Sequence, residues 1–277
     1  MAEPRRKTED GQHGAHQDEE RVRGEGEARL RAGDEAGLRA GDEAGLRTEG
    51  EAGLRTEGEA GLRGEDRARL WAELVATARR SVADGLVVGT SGNVSARIGD
   101  LVLVTPSGVP YDRLTPGDIT GVDLTGRQVL GSLVPTSELP LHLAVYRTTD
   151  ARAIVHTHAV HATAVSTLVP ELPLVHYMAA ALGGPVRVAA YAAYGTDELA
   201  EHMLRALAGR SGCLLQNHGT ITHGATLDQA YDRTAQLEWM CRLWLTASSV
   251  PGLTPSLLSE AQLAEVGERL KGYGQRR

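Results

Sequence analysis

Three histidines stand where metal ligands could converge. Residues 153–158 read A-I-V-H-T-H, so His156 and His158 are two positions apart. Because side chains at this spacing on a strand point to the same face, both imidazoles can bind one ion. His218, in L-L-Q-N-H-G, ends another apolar run where a glycine permits a turn, and it is the candidate third ligand. Three neutral imidazoles leave one position open on zinc, which is the arrangement of a catalytic site.

The H-x-H pair alone does not decide between a metal site and a structural role, because histidines often pack or hydrogen-bond inside a core. A cysteine site is excluded, since the two cysteines, Cys213 and Cys241, form neither a C-x-x-C motif nor a disulfide framework. Any metal must therefore be held by histidine and carboxylate. Structural roles are assigned to most of the other histidines, namely His142, His161, His176, His202 and His223.

Glu138 is the candidate proton-transfer residue. It closes the motif P-T-S-E at residues 135–138, where a helix is predicted to begin. Thr136 or Ser137 could simply cap that helix, and Glu138 could simply favour its positive end. On its own the motif favours this structural interpretation. Beside a metal, Glu138 would act as a general base whose proton affinity depends on burial and on the charge of the ion.

Three polar turns are candidates for binding a small anion. They read T-S-G-N at residues 90–93, T-P-S-G at 105–108 and P-T-S at 135–137. Backbone N–H groups and hydroxyls in such turns can bind phosphate without a cation, as phosphate nests do. None of the three matches a P-loop or a dinucleotide-binding fingerprint. Together with the histidines they favour a small phosphorylated ligand.

The lysines limit the possible carbonyl chemistry. Lys7 and Lys271 are the only two in the sequence, one near each end. A Schiff base between a core lysine and a carbonyl substrate is therefore excluded. Chemistry at a carbonyl would have to use a metal as the electron sink.

Composition bounds the class of protein. The 277 residues are 41% hydrophobic, enough to fill a sizeable core. No run approaches the roughly 18 apolar residues of a membrane span, and no apolar signal segment follows the charged start, so we expect a cytoplasmic protein. Residues 1–66 contain 11 basic and 18 acidic residues, whereas residues 67–277 contain 18 of each. The neutral second part offers no obvious surface for nucleic acid.

Residues 1–66 are predicted to be a disordered or transiently helical acidic tail. Eight residues turn a helix by about 80° beyond two full turns, so leucines repeated at this period form no stripe and no heptad coiled coil. Glycines in every repeat lower helix stability further. The tail is expected to take no part in the chemistry. The eight-residue repeat, of the EAGLR type, places in register Leu30, Leu38, Leu46, Leu54 and Leu62.

Residues 67–277 read as one α/β domain that must position the candidate residues. An amphipathic helix is predicted from near Asp66 to a point before Gly85, and short strand-like runs then alternate with helical ones. This alternation is typical of an α/β fold. Strands are predicted near residues 94–98, 101–104, 153–157, 186–189 and 213–216. Further helices are predicted near residues 138–147, 196–208, 227–245 and 258–271.

The motifs in combination resemble a known family. They are T-S-G-N-V-S-A-R at 90–97, T-P-S-G-V-P-Y at 105–111, P-T-S-E at 135–138, V-H-T-H-A-V-H at 155–161, H-Y-M-A-A-A at 176–181, Y-G-T-D-E-L at 194–199, L-L-Q-N-H-G at 214–219 and K-G-Y-G at 271–274. The combination resembles the class II aldolase/adducin family, closest to its L-fuculose-1-phosphate aldolases. The resemblance spans about residues 67–277, and the tail has no counterpart in it.

The resemblance implies a three-layer α/β/α fold with a central, mostly antiparallel sheet. It also implies a homotetramer of fourfold symmetry whose active sites lie between subunits. Tyr177 would assist from a neighbouring subunit, and Tyr273 would help to close the site. The zinc-binding role falls on His156, His158 and His218, and the acid/base role on Glu138. The phosphate-binding role falls on Thr90, Gly92, Asn93, Ser107, Gly108, Thr136 and Ser137.

Two departures from the family pattern bear on specificity. Thr136 stands where many members have serine, and the hydroxyl is kept, so anion binding should be preserved. Tyr194 stands where the fuculose enzyme has phenylalanine, which affects the choice of aldehyde.

A retro-aldol mechanism follows as a hypothesis. A ketose 1-phosphate would bind the metal through its C2 carbonyl and C3 hydroxyl oxygens, and breaking the C3–C4 bond would leave an enediolate that the metal stabilises. The products would be dihydroxyacetone phosphate and an aldehyde. Tyr177, directly or through water, would take the C4 hydroxyl proton, and Glu138 would then protonate the enediolate carbon.

Two alternatives stay open. The same site could dehydrate methylthioribulose 1-phosphate, epimerise ribulose 5-phosphate at C4 or decarboxylate a phosphorylated keto acid. The residues around Tyr177 and Tyr273 favour the aldolase. Glu138 stands where the epimerase branch carries aspartate, which disfavours epimerisation. The other alternative is a non-catalytic interaction module like the adducin head domain, against which the three histidines and Glu138 argue.

Overall fold

A nine-stranded sheet forms the centre of the computed structural model, which describes residues 64–272. Side chains are described from residue 68 onward. The predicted acidic tail, apart from its last three residues, and Tyr273 lie outside the described residues. Within the described part of the chain, no helix is both long enough and apolar enough to cross a membrane.

Seven of the eight neighbouring strand pairs in the sheet are antiparallel. The order across the sheet is β4-β3-β2-β1-β5-β9-β8-β7-β6, and only the pair β7 and β8 is parallel. The predicted mostly antiparallel sheet is therefore confirmed. The strands are β1 Asn93–Ile98, β2 Leu101–Val104, β3 Thr120–Asp123, β4 Gln128–Leu130, β5 Ala153–Thr157, β6 Glu171–Leu172, β7 Val186–Ala189, β8 Gly212–Leu215 and β9 Gly219–Gly224.

Three of the described α-helices begin where a side chain satisfies a free backbone N–H. The hydroxyls of Thr196, Thr226 and Ser259 each accept a hydrogen bond from the backbone three residues on, as N-cap residues do. Glu138 precedes α2, with φ −97° and ψ 19°, so the helix begins one residue later than predicted. The α-helices are α1 Gly64–Ala83, α2 Leu139–Thr148, α3 Val160–Ser166, α4 Asp197–Leu207, α5 Leu227–Ser248 and α6 Glu260–Leu270. Two 3₁₀ helices span Pro116–Asp118 and Tyr177–Leu182.

The strands alternate between two hydrophobic cores, one on each face of the sheet. On β5, Ala153 and Val155 belong to the core that contains residues of α1, α3 and α5, while Ile154 belongs to the core built on α2 and α4. On β8, Leu214 faces the first core and Leu215 the second. Because successive strand residues point to opposite faces, each face is covered by its own helices. The three-layer α/β/α fold is confirmed.

This alternation decides which helix lies nearest to the candidate ligands. His156 follows Ile154 by two residues, so it lies on the face that carries α2. Across the sheet His156 pairs with Asn93 of β1 on one side and with Ile221 of β9 on the other. The site therefore lies at the end of the central strands, beside the first turn of α2.

Candidate active site

Four side chains of metal-ligand type meet at the end of β5. One ligand atom each from Glu138, His156, His158 and His218 lies within 4.8 Å of all the others. Nε2 of His156 lies 3.0 Å from Nε2 of His158 and 2.9 Å from Oε2 of Glu138. Nε2 of His218, from the turn between β8 and β9, lies 3.0 Å from Oε1 of Glu138. The structure thus brings together the three predicted ligands and the predicted proton-transfer residue.

Neighbouring backbone orients the histidines. Nδ1 of His156 donates a hydrogen bond to the carbonyl oxygen of Thr220 at 2.8 Å, so its Nε2 faces the cluster and is free to bind an ion. Asn217 precedes His218 with φ of 56° and is the one non-glycine residue in the left-handed region among those described. Its backbone N–H donates to Oγ of Ser166 at 3.1 Å. Asparagine tolerates this conformation better than most residues, which allows the sharp turn that presents His218.

Two glycines permit the close approach of backbone at this site. A Cβ on Gly219 would lie 2.2 Å from the carbonyl oxygen of Thr157, too close for any other residue. Gly92 has φ of +103°, and its Cβ would lie 2.8 Å from the carbonyl oxygen of His156. The backbone at Gly92 and at Gly219 can therefore approach the end of β5 this closely only because both positions lack a side chain.

Burial and the neighbouring charges shift the pKa values of Glu138 and His156 in opposite directions. Burial would raise the pKa of Glu138, but interactions with His156 and His218 outweigh burial and hold the pKa well below its ordinary value. Burial also lowers the pKa of His156, yet Glu138 and the Thr220 hydrogen bond raise it overall. For His158, burial and the neighbouring histidines lower the pKa to about 3. Glu138 is therefore ionised near neutral pH and His158 is a neutral imidazole.

The residues present fit a divalent metal. Among the described residues, no donor reaches the buried Oε1 of Glu138 in hydrogen-bonding geometry, although His218 Nε2 lies 3.0 Å away. Two imidazole nitrogens, from His156 and His158, also face one another across 3.0 Å. Three imidazoles and a carboxylate form a donor set suited to zinc and related divalent ions. A cation at their centre would satisfy the carboxylate oxygen and the facing nitrogens together.

A cavity of about 350 Å³ opens beside the cluster. Glu138, His158 and His218 form one part of its lining, and no lysine or arginine is among the described residues that line it. An anion bound here would be held by hydroxyl and N–H groups, as the polar turns predict. All seven predicted phosphate-binding residues line this cavity: Thr90, Gly92, Asn93, Ser107, Gly108, Thr136 and Ser137. Their binding role stays a prediction.

Hydrogen bonds join the two loops that carry most of the hydroxyls. The backbone N–H of Ser107 donates to the carbonyl of Val134 at 2.9 Å, and that of Thr136 donates to the carbonyl of Thr105 at 3.2 Å. The hydroxyl of Thr136 accepts from the backbone N–H of Glu138 at 3.3 Å. The P-T-S-E motif therefore orders the turn before α2 and presents Glu138 to the cluster.

Two predicted residues do not lie at this cavity. Tyr177 is 47% exposed at the start of a 3₁₀ helix, where it borders a separate groove with Trp239 and Leu270. Tyr273 lies outside the described residues. The family resemblance places Tyr177 at the active site of a neighbouring subunit, and that role stays a prediction.

The cavity also has residues that the sequence analysis did not assign to it. Asn217 and Tyr191 line it, and so does Tyr194, which the sequence analysis named only as a departure from the family pattern. The backbone N–H of Tyr191 donates to the side-chain oxygen of Gln216 at 3.0 Å, which ties its loop to the turn before His218. Asn217 could have been found because it adjoins His218 and Gly219. Tyr191 lies in an alanine-rich loop without any motif that indicates a site.

Comparison with known proteins identifies the class. The sequence model of the family described as Class II Aldolase and Adducin N-terminal domain matches residues 72–245. The chain is 42% identical over 210 residues to the L-fuculose phosphate aldolase of Escherichia coli O6:H1 (strain CFT073), covering 75% of this chain and 97% of that one. A 5-methylthioribulose-1-phosphate/5-deoxyribulose-1-phosphate aldolase of Rhodospirillum rubrum is 37% identical over 203 residues, which cover 73% of this chain and 90% of that one.

A solved structure agrees with these sequence relatives. That of an L-fuculose 1-phosphate aldolase superposes with a TM-score of 0.71 at 34% identity, covering 74% of this chain and 97% of that one. The family match, the sequence relatives and the fold define a class II aldolase, a carbon–carbon lyase. The chain belongs to the class II aldolase/adducin family, and the resemblance seen in the sequence motifs is confirmed.

Proposed function

We propose that this chain is a zinc-dependent aldolase that cleaves a ketose 1-phosphate of the L-fuculose 1-phosphate type. The products are dihydroxyacetone phosphate and an aldehyde. One observation carries the proposal: the histidine–carboxylate cluster forms part of the wall of a cavity whose lining also includes serine and threonine hydroxyls, two glycines and two asparagine amides. The relatives named as fuculose phosphate aldolases support this class of substrate.

Each part of the site has its own task in this reaction. Ser107, Thr136 and Ser137 bind the phosphate and so direct the carbonyl end of the ketose toward the cluster. The three histidines would hold a divalent cation, which would supply a Lewis acid for the carbonyl and for the charge left when the C3–C4 bond breaks. Glu138, ionised and at the cavity wall, exchanges a proton with C3. Tyr177 of a neighbouring subunit takes the proton from the C4 hydroxyl.

The residues assigned so far contact the phosphate, carbonyl, C3 and C4 positions, so they do not select the aldehyde part of the substrate. Tyr191 and Tyr194 line the cavity and are 62% and 70% exposed, so their rings lie at its rim. The relative from Rhodospirillum rubrum is named for 5-methylthioribulose 1-phosphate and 5-deoxyribulose 1-phosphate, which share the phosphorylated end of fuculose 1-phosphate. These two compounds are therefore two further candidate substrates, which the same reaction would cleave.

The test is incubation of the zinc-loaded protein with these three ketose 1-phosphates. Dihydroxyacetone phosphate is measured by coupled oxidation of NADH with glycerol-3-phosphate dehydrogenase. We expect its release from at least one substrate, its loss after treatment with a chelator and its return when zinc is added. Product analysis on the same samples detects dehydration, epimerisation or decarboxylation, and any of these without dihydroxyacetone phosphate contradicts the aldolase proposal.

A pair of matched variants tests the metal site. His158 and His161 lie in the same V-H-T-H-A-V-H motif, but the ring of His161 contacts Glu238 Oε1 at 2.6 Å and stays outside the cluster. We expect His158→Ala to lose both bound zinc and cleavage, and His161→Ala to keep both. Equal zinc content in the two variants would contradict the assignment. A wild-type protein that binds no stoichiometric metal would favour the non-catalytic module.

A further inference from the structure

A chain of buried polar side chains runs from Glu138 into the core between β1 and α2. Asn93 and Ser95 lie two residues apart on one face of β1, and His142 and Tyr146 lie four apart on one face of α2. All four side chains are at most 3% exposed. The mechanism proposed above uses none of them, although Asn93 is one of the predicted phosphate-binding residues that line the cavity.

The contacts in this chain are continuous. Nδ2 of Asn93 donates to Oε2 of Glu138 at 3.0 Å, and Oδ1 of Asn93 contacts Nε2 of His142 in a short hydrogen bond. Nδ1 of His142 lies 2.6 Å from Oγ of Ser95, which lies 2.7 Å from the hydroxyl of Tyr146. Every polar side-chain atom of these four residues therefore has a partner.

The chemistry of the groups allows only one direction for these hydrogen bonds. An ionised carboxylate only accepts, so the Asn93 amide must turn its NH₂ toward Glu138 and its oxygen toward His142. Since that oxygen also only accepts, Nε2 of His142 must carry the hydrogen. Nδ1 of His142 then accepts from Ser95, whose oxygen accepts from Tyr146. Burial keeps the imidazole neutral, since it lowers the pKa of His142 to about 3.

We propose that His142 is a positioning residue which, as the neutral Nε2–H tautomer, fixes the orientation of the Asn93 amide. In that orientation one N–H of Asn93 holds the Glu138 carboxylate, and the second N–H is available to the cavity that Asn93 lines. The same amide then links the phosphate to the proton-transfer group. This linkage rests on the proposed function, whereas the tautomer and the amide orientation do not.

The orientation depends on the donor at Nε2. If that donor is lost, the buried Asn93 oxygen has no partner, and an unsatisfied buried acceptor is costly. A rotated amide would instead place its oxygen against the Glu138 carboxylate, which repels it. Glutamine can offer an N–H at the position of Nε2, whereas leucine has similar size and no donor. His142→Gln and His142→Leu therefore form a matched pair that separates the hydrogen bond from the packing.

The tautomer is measured directly by NMR on the full chain with ¹⁵N-labelled histidine. Comparison with His142→Gln identifies the His142 signals by their loss. We expect a hydrogen on Nε2, none on Nδ1 and no titration between pH 5 and pH 9. A hydrogen on Nδ1, or an imidazolium at neutral pH, overturns the proposal. This measurement needs no substrate, so it decides the proposal even if the chain cleaves no ketose phosphate.

The functional consequence is measured with zinc-loaded variants of equal metal content. We expect His142→Leu to slow proton exchange at C3 of dihydroxyacetone phosphate about 10-fold or more, as the loss of a buried hydrogen bond implies, and to weaken inhibition by inorganic phosphate. His142→Gln should rescue most of both effects. Wild-type exchange and phosphate inhibition in a folded His142→Leu protein would overturn the proposal.

A second variant covers the case in which His142→Leu does not fold. Ser95→Ala removes the hydroxyl that donates to Nδ1 of His142 and leaves the imidazole in place. We expect the Nε2–H tautomer to persist, because the Asn93 oxygen still requires that hydrogen, and the Nδ1 signal to shift because its donor is lost. An Nδ1–H tautomer in Ser95→Ala would overturn the proposal, and an unshifted Nδ1 signal would contradict the hydrogen-bond chain. Absence of exchange in the wild-type protein, with the expected tautomer present, would refute the proposed function alone.

Discussion

At the residue scale, the sequence indicates which groups can react but not what orients them. The i, i+2 spacing places His156 and His158 on one strand face, as found. The carbonyl that orients His156 belongs to Thr220, 64 residues away, and no local pattern reveals such a partner. Likewise His142, assigned to a structural role, pairs with Asn93 from another element. Residue types were predictable, and their long-range hydrogen bonds were not.

The role of Glu138 can be tested by removing its charge. Glutamine has the same shape and can still coordinate, but it cannot take up a proton. We expect Glu138→Gln to keep stoichiometric zinc while proton exchange at C3 of dihydroxyacetone phosphate slows roughly 10²–10⁴-fold, the usual contribution of a general acid or base. Exchange is followed by NMR in D₂O, and metal by elemental analysis.

Glu73→Gln serves as a control for the loss of one negative charge. Glu73 lies on α1, half exposed and paired with Arg69 on the same helix. We expect this variant to exchange the proton as the wild type does. An unimpaired exchange rate in Glu138→Gln would refute the proton-transfer role of that residue.

His142 should make the folded chain sensitive to acid. Burial and, to a smaller extent, His156 lower the pKa of His142 to about 3 against the opposing effect of Glu138, whereas an unfolded histidine titrates near 6.5. Between these two pH values the unfolded chain binds a proton that the folded chain does not. Through His142, stability therefore falls as the pH decreases, by up to about 1.4 kcal/mol per pH unit. Above pH 6.5 the residue makes no such contribution.

The measurement is urea unfolding of the wild type and His142→Gln from pH 7 to pH 4.5, both with chelator. The metal ligands and Tyr146 are common to both proteins, so the difference between the two curves isolates His142. We expect the difference in unfolding free energy to shift in favour of the variant as the pH falls. Parallel curves would show that His142 is not buried in the neutral form.

At the scale of elements, the sequence pattern located five of the six α-helices and five of the nine strands that the structure describes, and it missed α3, β3, β4, β6 and β9. The predicted strands at 101–104, 153–157 and 186–189 match β2, β5 and β7 in extent. Strand β9, G-T-I-T-H-G, begins and ends with glycine and was not predicted, although it is central to the sheet. Strand β6 has two residues and helix α3 seven, too few to show a period. Sheet order depends on pairings that no local pattern encodes.

The close contact between β9 and the end of β5 gives a test at this scale. In Gly219→Ala the new Cβ would lie 2.2 Å from the Thr157 carbonyl oxygen, so the turn that carries His218 must shift. We expect a loss of about 1–3 kcal/mol in stability, typical of overpacking, and weaker zinc binding. Urea unfolding and competition with a chromogenic chelator measure the two effects.

Gly117→Ala is the matched control. Gly117 lies in the 3₁₀ helix Pro116–Asp118, and its Cβ would meet only the Thr115 hydroxyl, at 3.8 Å. This variant should bind zinc as the wild type does. If Gly219→Ala also retained full zinc affinity, the approach of the two backbones would not determine the geometry of the metal site.

At the scale of the whole molecule, the catalytic part and the repetitive part of the chain should be separable. The family match covers residues 72–245, and the alignment to the Escherichia coli relative covers 97% of that enzyme with 210 residues of this chain. We expect a variant lacking residues 1–63 to keep the kcat/KM and the melting temperature of the full chain. Steady-state kinetics and thermal unfolding check this, and a large fall in either would assign a role to the eight-residue repeats.

The wide spacing of the metal ligands along the chain has a consequence for folding. Glu138, His156 and His218 meet only after β5 has paired with β9. In that pairing His156 of β5 lies opposite Ile221 of β9, and the two residues are far apart in sequence. Such long-range pairings form slowly because a large loop must close before any contact compensates. Before that step, the only ligands held close together are His156 and His158 of the H-x-H pair. If this cluster binds a metal as proposed, we expect the metal to lengthen the lifetime of the folded chain and to do little to speed its formation.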